Sequence, residues 1–277
     1  MVLDGKYVSG LIRERVKGEV ALLNDTVKLL VILVGNDPAS QIYVASKEKA
    51  CKKAGIKSET IVLEDNISQK ALIQVIQAAN DDPNIHGILL QLPLPKHLVT
   101  HEVINYIDPK KDVDGLTDVN QGKLFNGEKT IVPATPKGIM HIINHYHIEL
   151  KGKNAVVIGR SNLVGKPISM LLLDEHATVT MAHSRTSNLK EITKKADIIV
   201  SAVGKPLFIT ADMVKQDAVI IDVGINRLHT KVVGDVDYKA VEEIASAITP
   251  VPGGVGPMTI ASLLENVVEC YKLCNKL

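Results

Sequence analysis

The chain reads as an α/β protein of two domains, each a parallel sheet covered by helices. Three observations predict this. Short runs rich in Val, Ile and Leu alternate with longer amphipathic stretches. The short runs are apolar on both faces, as strands of a helix-covered parallel sheet are. The β-α-β rhythm stops at a loop-rich stretch and restarts at Lys153, and 277 residues leave room for two modest domains.

The first clear strand is 28–34, KLLVILV. A helix follows, with Asp37 as N-cap, Pro38 in its first turn and Gly55 as its stop. A second strand lies near 60–63. A helix comes next, on the spacing of Leu72, Val75, Ile76 and Ala79, and then a third strand at 87–92 that ends in Pro93-Leu-Pro95. Loop residues dominate 108–115, and Pro133-Ala-Thr-Pro136 opens a helix to about His147. Strands are expected at 155–158, 178–182, 197–203 and 218–223, with a closing helix over about 259–273. The run 249–259, TPVPGGVGPMT, is too rich in Pro and Gly for helix or strand and is suited to bring backbone close to a planar ligand. The break falls within 116–136. We place one domain at 1–118, with the helix of 257–277 packing back on it, and the other at 119–256.

Composition excludes several functions. Aromatic residues make up 3% with no Trp, and the net charge is +1, so neither stacking platforms nor a polyanion surface for nucleic acid is expected. Cys51, Cys270 and Cys274 form no CxxC pair, which argues against a disulfide framework or structural zinc and for a reducing, cytoplasmic compartment. The opening MVLDGKYVSG lacks a signal-peptide core, and no run approaches a membrane span. His97/His101 and His141/His145 have helical ligand spacing but lack the Glu of HExxH, so no metal is expected.

The second half opens on NAVVIGRSNLVGKP, a strand, a turn and a helix start, where backbone N–H groups attract a pyrophosphate. The fit to GxGxxG is imperfect. Gly159 is in place, Ser161 replaces the middle glycine, Val164 stands at the third position and Gly165 comes one later. NAD-binding folds put an acid after the next strand. Here that strand runs into His183-Ser-Arg-Thr186. Ser184 and Arg185, or Arg160 from the turn, are suited to a 2′-phosphate, which favours NADP.

Tyr43 and Lys47 share a helix face. Tyr-x-x-x-Lys suggests a short-chain dehydrogenase, but there the glycine loop comes first, and here Gly159 lies far downstream in the other domain. Gln91 ends an apolar strand and needs hydrogen-bond partners if buried. Asp114, in KDVDG, belongs at the same rim, where parallel sheets bind ligands.

Taken in order, PASQIYVASK (38–47), GILLQLPLP (87–95), KDVDGLT (111–117), PATPKG (133–138), VIGRSNLVGKP (157–167), IIDVGIN (220–226), VVGDVD (232–237) and TPVPGGVGPMT (249–259) span nearly the whole chain. Together they resemble the bifunctional methylenetetrahydrofolate dehydrogenase/methenyltetrahydrofolate cyclohydrolase family. One departure is Ala134, where many members carry Cys. The resemblance implies an N-terminal folate-binding domain and a Rossmann-like NADP-binding domain, with the folate in a cleft between them. It implies oxidation of 5,10-methylenetetrahydrofolate with NADP and hydrolysis of the methenyl product to 10-formyltetrahydrofolate, in one-carbon metabolism that serves purine biosynthesis. It also implies a homodimer.

By motif match, Lys47 is the catalytic lysine, Tyr43 packs on the folate, Gln91 partners Lys47 and Asp114 holds the pterin. Leu92, Pro93, Pro252, Gly253, Gly254 and Val255 line the folate pocket, and Gly159, Arg160, Ser161, Val164, Gly165, Ser184, Arg185 and Ile225 contact NADP. The chemistry is consistent. An ionised Asp114 accepts from adjacent pterin N–H donors. Water must attack a cationic carbon in the hydrolysis, and an ammonium group is a poor neighbour for that charge. Lys47 is therefore expected to act neutral, as base or proton relay, with Gln91 holding it without added charge. Three other readings remain open at this point: a shikimate dehydrogenase-like enzyme, a folate enzyme that has lost one of the two activities, and a non-enzymatic folate or NADP binder, which would need the Tyr43/Lys47/Gln91/Asp114 set to be broken.

Overall fold

The computed structural model describes residues 1–23 and 25–277. The elements run, in order, α1 Gly5–Ala21, β1 Lys28–Val34, α2 Pro38–Ala54, β2 Lys57–Leu63, α3 Gln69–Asp81, β3 Gly87–Leu90, α4 Thr100–Ile104, α5 Asp118–Phe125 and α6 Ala134–His145. They continue with β4 Asn154–Ile158, α7 Gly165–Asp174, β5 Thr178–Ala182, α8 Leu189–Thr193, β6 Ile198–Ser201, β7 Val219–Asp222, β8 Asn226–Leu228, β9 Lys231–Val233, α9 Tyr238–Val241, β10 Ala247–Ile248 and α10 Val255–Asn275.

The chain divides into two compact units. One comprises Leu11–Lys123, Lys129–Ala134 and Ile260–Leu277, and the other Met1–Gly10, Leu124–Glu128 and Thr135–Thr259. These bounds depart from a single cut after residue 118: the first ten residues go with the later unit, and 119–123 and 129–134 with the earlier one.

The earlier unit holds a parallel sheet of order β2-β1-β3. Its central strand, β1, is apolar and buried from Leu29 to Val34, as a strand covered on both faces must be. Leu72, Ile76 and Ala79 of α3 pack on Leu30, Ile32 and Ile88. Burying a side chain of this size stabilises the fold by roughly 1.5–3 kcal/mol. The helix signals are realised as expected: Asp37 accepts from Ser40 N at 2.8 Å, and Gly55 ends α2 at φ 79°, a left-handed conformation that glycine adopts without cost.

The later unit holds a five-stranded sheet of order β10-β7-β6-β4-β5, with every pair parallel. β8 and β9 form a separate antiparallel hairpin. The expectation that 249–259 is too rich in Pro and Gly for a helix is corrected here, since α10 begins at Val255. Pro257 lies in its first turn, where no intrahelical N–H donor is required.

Candidate active site

In the three-stranded unit, the site forms where the chain leaves the carboxyl ends of the strands. Gln91 directly follows β3, and its N–H bonds Ile32 O at 2.9 Å, so it extends the ladder by one residue. The side chain is 8% exposed. Such a buried amide must find partners, and it does: Oε1 accepts from Lys47 Nζ at 3.0 Å, and Nε2 donates to Leu92 O at 2.7 Å. Lys47 is half-buried on α2. Tyr43, one turn earlier, is 52% exposed. Leu92 is half-buried and Pro93 exposed, joined by a cis peptide bond.

Asp114 arrives on a segment that is neither helix nor strand but is held as firmly as one. Lys111 and Val113 bond Ile88 of β3, Lys111 O accepting at 2.7 Å and Val113 N donating at 3.5 Å. The buried Asp112 carboxylate accepts from Thr117 N and Asn120 Nδ2. Lys111 is buried, and its ammonium bonds the carbonyls of Ala79, Asn80 and Asp82 at the end of α3, where the helix dipole favours a cation. After Asp114, Gly115 adopts φ +62°, and a Cβ there would lie 2.4 Å from Ile131 O; the Asp-Gly order is therefore a steric requirement. Burial raises the Asp114 carboxyl above the ordinary Asp range, the charge of Lys47 pulls it back, and Asp112 adds to the rise. Lys47, Gln91 and Asp114 thus come from a helix, a strand end and a tied-down loop, and they converge.

In the five-stranded unit, β4 runs into Gly159 at φ +129°. A Cβ there would meet Ala202 O at 2.5 Å, and one on Gly165 would meet Gly159 O at 2.2 Å. Gly165 is the buried first residue of α7 and supplies the close strand–helix approach, in place of Val164. The Ser161 hydroxyl accepts from Val164 N and Gly165 N and so holds the start of the helix. Beside this turn is a cavity of about 260 Å³, whose lining includes Arg160, Ser161, His183, Ser184, Val203, Lys205 and Phe208. The lining includes Ser184 but not Arg185. Lys205 Nζ stands 5.4 Å from the Phe208 ring centre, a cation–π distance. A glycine turn that admits no Cβ, together with a lining that has two cations and no carboxylate, fits a dinucleotide bearing an extra phosphate. A second cavity, of about 160 Å³, brings Ile225 together with Pro252, Gly253, Gly254 and Val255.

Residues 3–114 match the model of the tetrahydrofolate dehydrogenase/cyclohydrolase catalytic domain, and residues 133–275 match that of the NAD(P)-binding domain of the same enzymes. The chain belongs to the tetrahydrofolate dehydrogenase/cyclohydrolase family. The bifunctional protein FolD of Campylobacter hominis is 56% identical over 275 residues, which is 98% of this chain and 97% of that protein. The crystal structure of the bifunctional FolD of Campylobacter jejuni superposes with a TM-score of 0.98 at 47% identity, covering 100% of this chain and 99% of that one. The Trypanosoma brucei FolD, solved with NADP cofactor and inhibitor, gives 0.94 at 36% identity, with 98% and 97% covered. Membership in this family sets aside the shikimate dehydrogenase-like alternative.

The sequence left several residues of this family site without a role. Lys205, Phe208 and His183 line the first cavity, and no motif marks them. Asp222 and Asp235 stand in IIDVGIN and VVGDVD, and both prove to be buried. Of the candidate histidines, His97 Nε2 meets Ile67 O and His101 Nε2 meets Asp118. Among the described residues no helix is long and apolar enough to cross a membrane.

Proposed function

We propose that this chain oxidises 5,10-methylenetetrahydrofolate to 5,10-methenyltetrahydrofolate with NADP, and then hydrolyses that product to 10-formyltetrahydrofolate. The observation that carries this reading is the meeting of Lys47 Nζ with Gln91 Oε1 at 3.0 Å, with Asp114 near enough for its carboxyl to feel the lysine's charge, on a chain of this family.

Each residue has a task suited to its chemistry. Asp114 accepts from the paired N–H donors of the pterin. Tyr43 offers an exposed ring one helical turn from Lys47 for the flat folate to pack on. Leu92 and Pro93, directly after Gln91, give the pterin an apolar wall. Lys47 moves the proton when water attacks the methenyl carbon, and Gln91 orients its amine without adding charge. Arg160, Ser161, Ser184 and the 159–165 turn hold NADP, with Val164, Arg185 and Ile225 at its margins; NADP supplies the hydride acceptor. We assign the folate to 1–118 with the closing helix, and NADP to 119–256. A homodimer serving purine biosynthesis completes the reading and rests on the family resemblance alone, and a cytoplasmic location rests on the unpaired pattern of Cys51, Cys270 and Cys274.

Incubating purified protein with methylenetetrahydrofolate and NADP, while following NADPH and methenyl absorbance together, tests the proposal. NADPH formed without accumulation of methenyl product is expected. Accumulation would leave a dehydrogenase alone, and absence of NADPH would refute the assignment.

A further inference from the structure

We propose that Asp235 is a positioning residue for the dinucleotide, a buried strut that fixes the wall of one cavity and the turn that presents Ile225 to the other. The inference rests on the reading of the five-stranded unit as the NADP site.

The side chain is 0% exposed, and both its oxygens meet donors only. Oδ2 accepts from Val203 N at 2.8 Å, Gly204 N at 3.2 Å and Ser201 Oγ at 3.3 Å, and Oδ1 accepts from Lys205 N and Asn226 Nδ2, both at 2.9 Å. Three consecutive backbone N–H groups, with Gly204 at φ +66°, converge on one carboxylate. This is the concave arrangement in which backbone binds an anion, and here the anion is part of the chain. Val203 and Lys205 line the cavity beside the glycine turn. Asn226 is the first residue of β8, paired with Val233 in the hairpin, and follows Ile225, which is 55% exposed at the second cavity. One carboxylate therefore sets two surfaces from segments that are remote in sequence.

A second buried carboxylate holds the strut in place. Asp222 accepts from Gly224 N, Asp235 N and Val236 N, each at 2.9 Å, and its own N–H donates to Thr249 Oγ1 at 2.8 Å. The glycines make room: a Cβ on Gly224 would lie 2.2 Å from Asp235 Oδ1, and one on Gly234 would lie 1.8 Å from Asp222 Oδ2. Burying charge is costly unless each lone pair is met, and it is a poor device for holding strands. β6 and β7 already pair along their length, and Ile199, Ile209, Ile220 and Val236 pack as an apolar core. The Asp235 bonds go mostly to loop N–H groups, so their loss should loosen loops rather than melt the sheet.

The test uses the full chain with Asp235→Asn, whose amide cannot accept on both sides, and Asn226→Ala, which removes one donor and keeps the carboxylate. Calorimetric titration with NADP, the KM for NADP and kcat are measured, along with hydrolysis of supplied methenyltetrahydrofolate in the absence of NADP. Asp235→Asn should weaken NADP binding and raise its KM about tenfold or more, the scale of one hydrogen bond to a charged group. Hydrolysis should change far less. Asn226→Ala should move the same constants in the same direction to a smaller extent, and it decides the matter alone if Asp235→Asn does not fold. Unchanged NADP constants in a folded variant, or equal loss of both activities, would overturn the inference. A wild-type chain that binds no NADP would overturn the cofactor reading together with it.

Discussion

In the three-stranded unit, the proposed chemistry rests on side chains: Lys47, Gln91 and Asp114 approach one another from a helix, a strand end and a loop. Around the glycine turn of the five-stranded unit, main chain sets the shape, with Gly159 and Gly165 too close to neighbouring backbone to carry a Cβ and Asp235 gathering three successive N–H groups. A side-chain site fails when one functional group is lost. A backbone site fails when a turn can no longer close.

The largest effect should come from Lys47→Met. Cyclohydrolase activity should fall about 100-fold or more, the usual worth of a proton-transfer group, while folate still binds; retained hydrolysis would break the side-chain half of the comparison. Gly165→Ala should act differently, costing roughly 2–4 kcal/mol of stability through its clash with Gly159 O and weakening NADP binding. Normal thermal unfolding and NADP affinity in that variant would show that the turn has slack. Gln91→Glu should keep the fold and favour the ammonium form of Lys47, slowing hydrolysis about tenfold and moving its pH optimum upward. An unmoved pH profile would mean that Gln91 merely fills space.

A smaller effect concerns Asp222. Burial pushes its carboxyl up from 3.8 to about 6, with its backbone hydrogen bonds opposing the shift and Asp235 adding to it. The folded chain therefore holds this proton more tightly than the unfolded one. The stabilisation is full below 3.8 and is lost as pH rises through about 6. Denaturant unfolding across that window should show wild-type stability declining relative to Asp222→Asn. Parallel pH curves would place the carboxyl outside this balance.

The same contrast explains what could be read in advance. β1 and β4 were legible because an apolar run buried on both faces has few alternatives, and α2 because Asp37, Pro38 and Gly55 mark its ends. Gln91 drew notice as a glutamine ending an apolar strand and Asp114 as an acid in a Gly-containing loop at the same rim, whereas a lysine on a helix face is ordinary and Lys47 was singled out only by the motif match. The closing helix was expected to start later than it does because its prolines and glycines fall where a first turn tolerates them. α1 and the β8–β9 hairpin left no periodic signal strong enough to read. Lys205, Phe208 and the role of Asp235 were hidden because each depends on contacts between segments distant in sequence.

Lys111 has a consequence for dynamics. Its ammonium joins the end of α3 to a segment in which Lys111, Val113, Gly115 and Thr117 all donate their N–H groups within the protein. Loop amides ordinarily exchange with solvent readily. Here hydrogen–deuterium exchange should find those amides protected nearly as well as the neighbouring strand, so Asp114 would stand on a segment that opens only when the sheet beneath it opens.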